Sequence, residues 1–209
     1  MTEMQSALRT AGLYDKHGTK NAFLAYGGEA RCLLRMIRAN DNVVDAAIVQ
    51  LTAILEYRRK YEIDDLDPTL ALEHPCKPFW VAELAGLGDV GHVRGAVVQV
   101  TVPRFVQPAK IVELFKQEEL DYFFVLWMEL RLQRQRESIA ADKHSDHMDD
   151  RVLEVYDLSG LSFRQIHVKG LKMLSSSLGL CQANYPEDLC QTYIMNAPGY
   201  FSIAWKIIS

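Results

Sequence analysis

Asn184-Tyr185-Pro186-Glu187-Asp188-Leu189, followed by Tyr193-Ile194-Met195-Asn196-Ala197-Pro198-Gly199-Tyr200-Phe201 and Trp205, decides how the rest of the chain is read. A helix arriving at Tyr185 has to end there, because the residue before a proline is pushed out of the α region and proline itself lacks an N–H. A short linker then leads into an apolar strand over residues 192–196. Asn196-Ala197-Pro198 supplies a turn. Tyr200, Phe201 and Trp205 follow at the spacing of an aromatic amphipathic helix.

Upstream of Pro186, residues 161–180 predict a helix with Phe163, Ile166, Leu171, Leu174 and Leu178 on its apolar side, and residues 151–157 predict a strand before it. Strand, helix and strand at this spacing predict a right-handed crossover with both strands parallel in one sheet. Residues 109–137 predict one long helix after Pro108. Its middle, Tyr122-Phe123-Phe124-Val125-Leu126-Trp127-Met128, is apolar on every side and therefore buried, whereas its charged end, Arg131 to Arg136, is expected in solvent. Residues 96–102 are β-branched and predict a strand. Phe79-Trp80-Val81-Ala82 reads as a connector or as the first arm of a hairpin, separated from that strand by Gly86, Gly88 and Gly91.

In the amino-terminal part, apolar residues recur at helical spacing from Glu29 to Tyr61: Leu33, Leu34 and Ile37, then Val43, Val44, Ala47, Ile48, Leu51, Ile54 and Leu55. Two helices are predicted, divided at Asn40-Asp41-Asn42, with Asn42 as the N-cap of the second. Asp67-Pro68 and Pro75-Cys76-Lys77-Pro78 break the chain again. The expected organisation is a helical region over residues 1–75 and a second region over residues 76–209.

A chain of 209 residues with 49% hydrophobic content can bury a sizeable core within a single α/β unit. Lys and Arg number 23 against 27 Asp and Glu, and the net charge of -4 gives no general attraction to nucleic acid or to an anionic membrane. Met1-Thr2-Glu3-Met4-Gln5-Ser6 has neither a basic segment nor an apolar one, so a cytoplasmic location is expected. The longest apolar run is far short of the ~20 residues that a spanning helix needs. Cys32, Cys76, Cys181 and Cys190 form no Cys-x-x-Cys pair and read as small buried residues.

Two segments carry a family resemblance. One is the carboxy-terminal run quoted above; the other is the strand beginning at Val152 and ending Tyr156-Asp157-Leu158-Ser159-Gly160-Leu161, similar to a strand followed by Asp-Leu-x-Gly. Together they resemble the CRAL-TRIO lipid-binding family, whose members carry a phospholipid, tocopherol or retinoid. Leu33-Leu34-Arg35-Met36-Ile37-Arg38-Ala39 and Glu56-Tyr57-Arg58-Arg59 are similar to the family's small amino-terminal helical region. The resemblance implies an α/β fold: an amino-terminal helical region, then a mixed, largely parallel sheet flanked by helices, with a hydrophobic ligand cavity over the sheet. It further implies transport of a lipid ligand between membranes through transient, peripheral membrane contact, with no enzyme activity and no cofactor. Relatives continue past the position of Ser209 with a gate helix and a further strand, so a carboxy-terminal truncation with an open cavity and low lipid affinity is expected.

Strand alternation sends Val152, Glu154 and Tyr156 to one side and Leu153, Val155 and Asp157 to the other. By the family analogy the first set faces the cavity, together with Thr192 and Ile194 on the next strand and Val97 and Gln99 on the earlier one. Phosphoinositide-transferring relatives place small hydroxyl residues where Val152 and Glu154 stand, a tyrosine near Val97 and a basic residue at Asn40. Glu187 matches the family's acidic residue near an inositol headgroup, so phosphatidylinositol stays within the ligand class. A carboxylate facing an apolar space needs a donor or a raised pKa, which makes Glu154 unusual, although a strand-end salt bridge explains it equally.

Other chemistry is disfavoured. His144-Ser145-Asp146-His147-Met148-Asp149-Asp150 has His-x-x-His spacing but reads as a solvated acidic connector rather than a metal site. Cys181 or Cys190 with His167 and Glu187 lacks the setting of a hydrolase nucleophile. Gly27-Gly28 and Gly86-x-Gly88 lack a phosphate-loop lysine. Trp80, Trp127 and Trp205 read as core residues, with Trp205 beside Phe201 able to touch a membrane. The rival to a lipid carrier is a module of the same fold that senses lipid or binds a protein partner without transferring anything.

Overall fold

Parallel strands cannot be joined by a tight turn, so the sheet is organised by its crossovers. A computed structural model gives the architecture and describes residues 2–14, 18–90, 93–141, 151–162, 167–199 and 201. One sheet has the order β1 (Ala82–Val90), β2 (Val93–Thr101), β3 (Val152–Asp157), β4 (Leu189–Met195). β1 and β2 pair antiparallel as a hairpin, whereas β2 with β3 and β3 with β4 pair parallel. The first crossover contains α5 (Pro108–Leu114) and α6 (Gln117–Ala141), and the second contains α7 (Val168–Asn184). The expected α/β class with a mixed, largely parallel sheet is observed.

Several boundaries differ from expectation. Two of the glycines read as separators, Gly86 and Gly88, lie within β1, where a register shift between Leu84 and Gly86 marks a bulge and Gly86 has φ 120°; Gly91 lies outside the described residues. Gly88 admits the neighbouring strand closely, since a Cβ there would meet Val98 Cγ2 at 2.7 Å. The long helix is two helices, broken at Phe115, which is extended (φ -127°, ψ 146°) and packs edge-on against Phe79 at 5.9 Å between ring centroids. Glu119 then accepts the Lys116 N–H at 2.8 Å as α6 begins. No glycine or proline signals that break, because tertiary packing of one aromatic ring makes it. α7 starts at Val168, where His167 accepts the Gly170 N–H at 3.1 Å as N-cap, and continues to Asn184.

The amino-terminal helices are α1 (Thr2–Thr10), α2 (Thr19–Ala25), α3 (Glu29–Ala39) and α4 (Val44–Lys60). The pair α3 and α4 was expected; α1 and α2 are too short for periodicity to announce. Val43 rather than Asn42 caps α4, because Asn42 takes a left-handed conformation (φ 65°) in the preceding turn. One hydrophobic cluster runs from Met4 and Leu8 through Leu33, Leu51 and Ile54 to Phe123, Trp127, Leu174 and Tyr185, so the helical region and the sheet region share a core. On the opposite face of the sheet, Ala96 and Leu153 form a small separate cluster with Val98 and Cys190.

The charged end of α6 does not lie wholly in solvent. Glu129, Arg131 and Gln135 are each 5% exposed or less, because the helix is wedged between the sheet and the amino-terminal helices. Arg134 and Glu137 on the opposite side are exposed, as expected.

Candidate functional site

A cavity of about 770 Å³ opens between the sheet and α7. Its floor is made by Thr101 of β2, Glu154 and Tyr156 of β3, and Thr192 and Ile194 of β4. Strand register puts them side by side: Thr101 pairs with Tyr156 and Tyr156 with Ile194, and Glu154 pairs with Thr192. The opposite wall is apolar, with Val106 and Pro108 at the entry to α5 and Leu171, Leu174 and Leu178 on α7. α7 is held close to α5 by Gly170, whose missing side chain leaves room for the Pro108 backbone.

Tyr185-Pro186-Glu187-Asp188 closes one end. α7 stops at Tyr185, which leaves the helical region (φ -130°, ψ 65°) ahead of Pro186. The Tyr185 hydroxyl donates to Glu129 Oε1 at 2.9 Å, and Arg58 of α4 donates to the same oxygen at 2.7 Å. Burial, followed by the Glu129 charge, pushes the Tyr185 phenol well above its ordinary pKa, so it stays a donor.

Beside the floor, and sharing Glu154 with it, lies a polar layer centred on Arg131. Its Nη1 donates to Glu154 Oε1 at 2.7 Å and to Gln99 Oε1 at 3.2 Å, and its Nη2 forms an ion pair with Asp188 Oδ2. Gln99 Oε1 also accepts the Trp127 indole N–H at 2.8 Å, and the Tyr156 hydroxyl donates to Glu154 Oε2 at 3.1 Å. Gln135 joins Asp188 (3.0 Å) to Arg35 of α3 (3.0 Å), extending the layer into the helical region. Burial alone would lower the Arg131 pKa, but the Asp188 and Glu154 charges outweigh it and the net shift is upward. Burial raises the Tyr156 phenol above its usual range, and Glu154 adds to that. The floor therefore keeps one cation and neutral phenol while its carboxylates are paired.

Of the eight expected site residues, Glu154, Tyr156, Glu187, Thr192 and Ile194 line the cavity. Val97, Gln99 and Val152 occupy the same sheet face but are not in its lining: all are 3% exposed or less, and Gln99 is covered by Trp127 and Arg131 of α6. Alternation gave the face correctly and could not show where a helix lies across it. Arg131, Asp188 and Trp80 line the cavity and were missed. Arg131 continues the stripe of Phe124, Trp127 and Met128 along α6, and a charge in an apolar stripe was the available signal.

Cys181, also on the cavity wall, has its thiol pushed up to about 12 by burial, and the His167 ring already caps α7, so neither is set for nucleophilic catalysis. Cys32, Cys76 and Cys181 are buried free thiols, as the sequence suggested. Residues 144–150, Phe163, Ile166, Tyr200 and Trp205 lie outside the described residues, so the metal-type spacing and most of the aromatic segment are not placed. No helix among the described residues is long and apolar enough to cross a membrane.

An α/β unit with its helices and mixed sheet around an apolar cavity is the class that this geometry defines. The chain belongs to the CRAL/TRIO domain family, whose profile matches residues 94–209. It is 28% identical to Protein real-time of Drosophila melanogaster over 185 residues, covering 85% of this chain and 26% of that protein. It is 25% identical to Patellin-6 of Arabidopsis thaliana, covering 85% of this chain and 41% of the relative. The chain thus spans between a quarter and less than half of these relatives. The crystal structure of Sfh5 shares the fold with a TM-score of 0.55 at 14% identity, over 100% of this chain and 75% of that one.

Proposed function

We propose that this chain binds one hydrophobic lipid, phospholipid or isoprenoid in type, in the cavity between the sheet and α7, and transfers or presents it at membrane surfaces from the cytosol. Lipid binding or transfer is the general function of the family. The observation that carries the reading here is the cavity of about 770 Å³ with an apolar wall of Val106, Leu171, Leu174 and Leu178. That volume is within the range of enclosed small-molecule sites. Each methylene leaving water for such a wall gains ~0.8 kcal/mol, enough to compete with a bilayer when a whole chain is enclosed. Leu189 (44% exposed) and Ile194 (38% exposed), both on the cavity lining, give the opening an apolar rim on which a membrane can be met locally. Glu154, Tyr156, Thr192 and Ile194 on the floor and Glu187 at the end are the proposed ligand contacts. The chemistry is binding and release, without turnover.

Native mass spectrometry of the chain mixed with lipid extract should show one lipid per chain. Leu178→Trp, which puts a larger side chain into the cavity from a half-buried wall position, should weaken this binding while far-ultraviolet circular dichroism stays unchanged. Failure of every lipid class to bind would refute the proposal. Vesicle-to-vesicle transfer of the bound lipid supports a carrier, and stoichiometric binding without transfer supports a sensor of the same fold.

A further inference from the structure

A second groove, of about 400 Å³, lies at the start of α6 and is lined by His74, Pro75, Phe115, Glu118, Glu119 and Tyr122, none of which lines the cavity over the sheet. Ring contacts hold its walls: the His74 ring stands 6.0 Å from that of Tyr122 and 5.2 Å from that of Phe123, centroid to centroid, and Phe115 rests on Phe79. His74 Nδ1 accepts the Cys76 N–H at 3.1 Å. The groove is thus built before anything enters it, yet Tyr122 is 43% exposed. Leu70 and Leu72, on the 3-10 turn Pro68–Leu72 that packs along α6, are 46% and 48% exposed. Large apolar side chains left half in water beside a preformed groove mark a surface that another chain can cover.

The charge around the groove has one sign. Glu62, Asp64, Asp65, Asp67 and Glu73 fall within residues 61–76, which contain neither Lys nor Arg, and Lys116 is the only cation of residues 115–130. Arg58 takes Asp64 in an ion pair. Glu73, Glu118 and Glu119, at the groove, are exposed and have no ion-pair partner among the described residues. Burial holds the His74 pKa below its ordinary value even beside Glu119, so the ring adds no positive charge at neutral pH. Such a surface repels nucleic acid and anionic bilayers, and a two-fold contact of this face with itself would set carboxylate against carboxylate. A segment with an apolar stripe flanked by Lys and Arg matches both the groove and its border, and an Arg can also stack on the exposed Tyr122 ring. We propose that this groove docks a basic amphipathic segment of a partner protein, its apolar residues entering beside Phe115 and Tyr122 and its cations meeting Glu73, Glu118 and Glu119. The inference is independent of the lipid reading.

The probe is a fluorescein-labelled amphipathic helix of Leu and Lys, set against the same helix with every Lys replaced by Glu. Fluorescence anisotropy should show the Lys helix binding at least about tenfold more tightly than the Glu helix. Glu73→Lys combined with Glu118→Lys reverses two exposed charges that make no hydrogen bond among the described residues, and should weaken the Lys helix by about tenfold. Hydrogen exchange with the Lys helix bound should slow in residues 68–76 and 115–123 and stay unchanged in α7 and β4. No binding of the Lys helix, equal binding of the two helices, a double variant that binds as tightly as wild type, or protection that falls on α7 and β4 instead overturns the inference.

Discussion

The helical region and the sheet region use the same long helix, α6, in opposite ways. On its amino-terminal-helix side the packing is solid: Leu33, Met36, Leu51 and Ile54 are 1% exposed or less. On its sheet side α6 covers only part of the floor and leaves a hollow that α7 walls but does not fill. A filled core gains from every contact, whereas a hollow one forgoes dispersion contacts along its lining until something enters. The polar layer between them, Arg35, Gln135, Asp188, Arg131 and Glu154, ties the two halves together with hydrogen bonds whose geometry depends on both.

Arg131→Met is expected to be the most damaging change, because it leaves Glu154 buried without its cation and Asp188 with only the more distant Arg35 at 3.9 Å; a loss of about 3–5 kcal/mol should appear as a lower urea midpoint. A loss below about 1 kcal/mol would show that the layer does not join the halves. In the solid half, Leu51→Ala should cost about 2–5 kcal/mol by the same measurement, through lost transfer energy and a new void. Leu178→Ala on the hollow side should cost about 1 kcal/mol or less, since its side chain is half-buried and borders existing space. The contrast should reverse on adding lipid, with Leu178→Ala losing part of the ligand-induced rise in Tm and Leu51→Ala keeping it.

A further effect concerns pH, and it is confined to the alkaline range. The Cys181 thiol is raised from 9.0 to about 12, so folding favours the protonated form. That contribution is complete below the ordinary thiol value and is lost as pH rises from about 9 toward about 12. Cys181→Ala should therefore show a shallower decline of stability across this window in urea titrations. A decline identical to wild type would mean that the thiol is not desolvated at the cavity wall.

Much of the architecture was readable locally. Pro186 after Tyr185 ended a helix, Val152 to Asp157 alternated like a strand, and the spacing between them required a parallel crossover. Phe115 gave no warning of the break between α5 and α6, since its extended backbone answers to Phe79, 36 residues earlier in the chain. Of the site, the face bearing Glu154, Tyr156, Thr192 and Ile194 followed from period-two alternation. Gln99 shared that face yet lies under Trp127, and Arg131 came from a helix end that looked like solvent-facing charge.

The sequence by itself determined the order of α3, α4, β2, β3, α7 and β4, the parallel pairing of β3 with β4 and which face of the sheet looks inward, because proline stops, alternation and helical period act over a few residues. Only the tertiary structure decided which part of that face is hollow and which is covered, and where Arg131 finds its two carboxylates. Those outcomes depend on how far α6 and α7 stand from the sheet, and that distance is set by side chains far apart in the chain, such as Gly170 against Pro108 and Phe115 against Phe79.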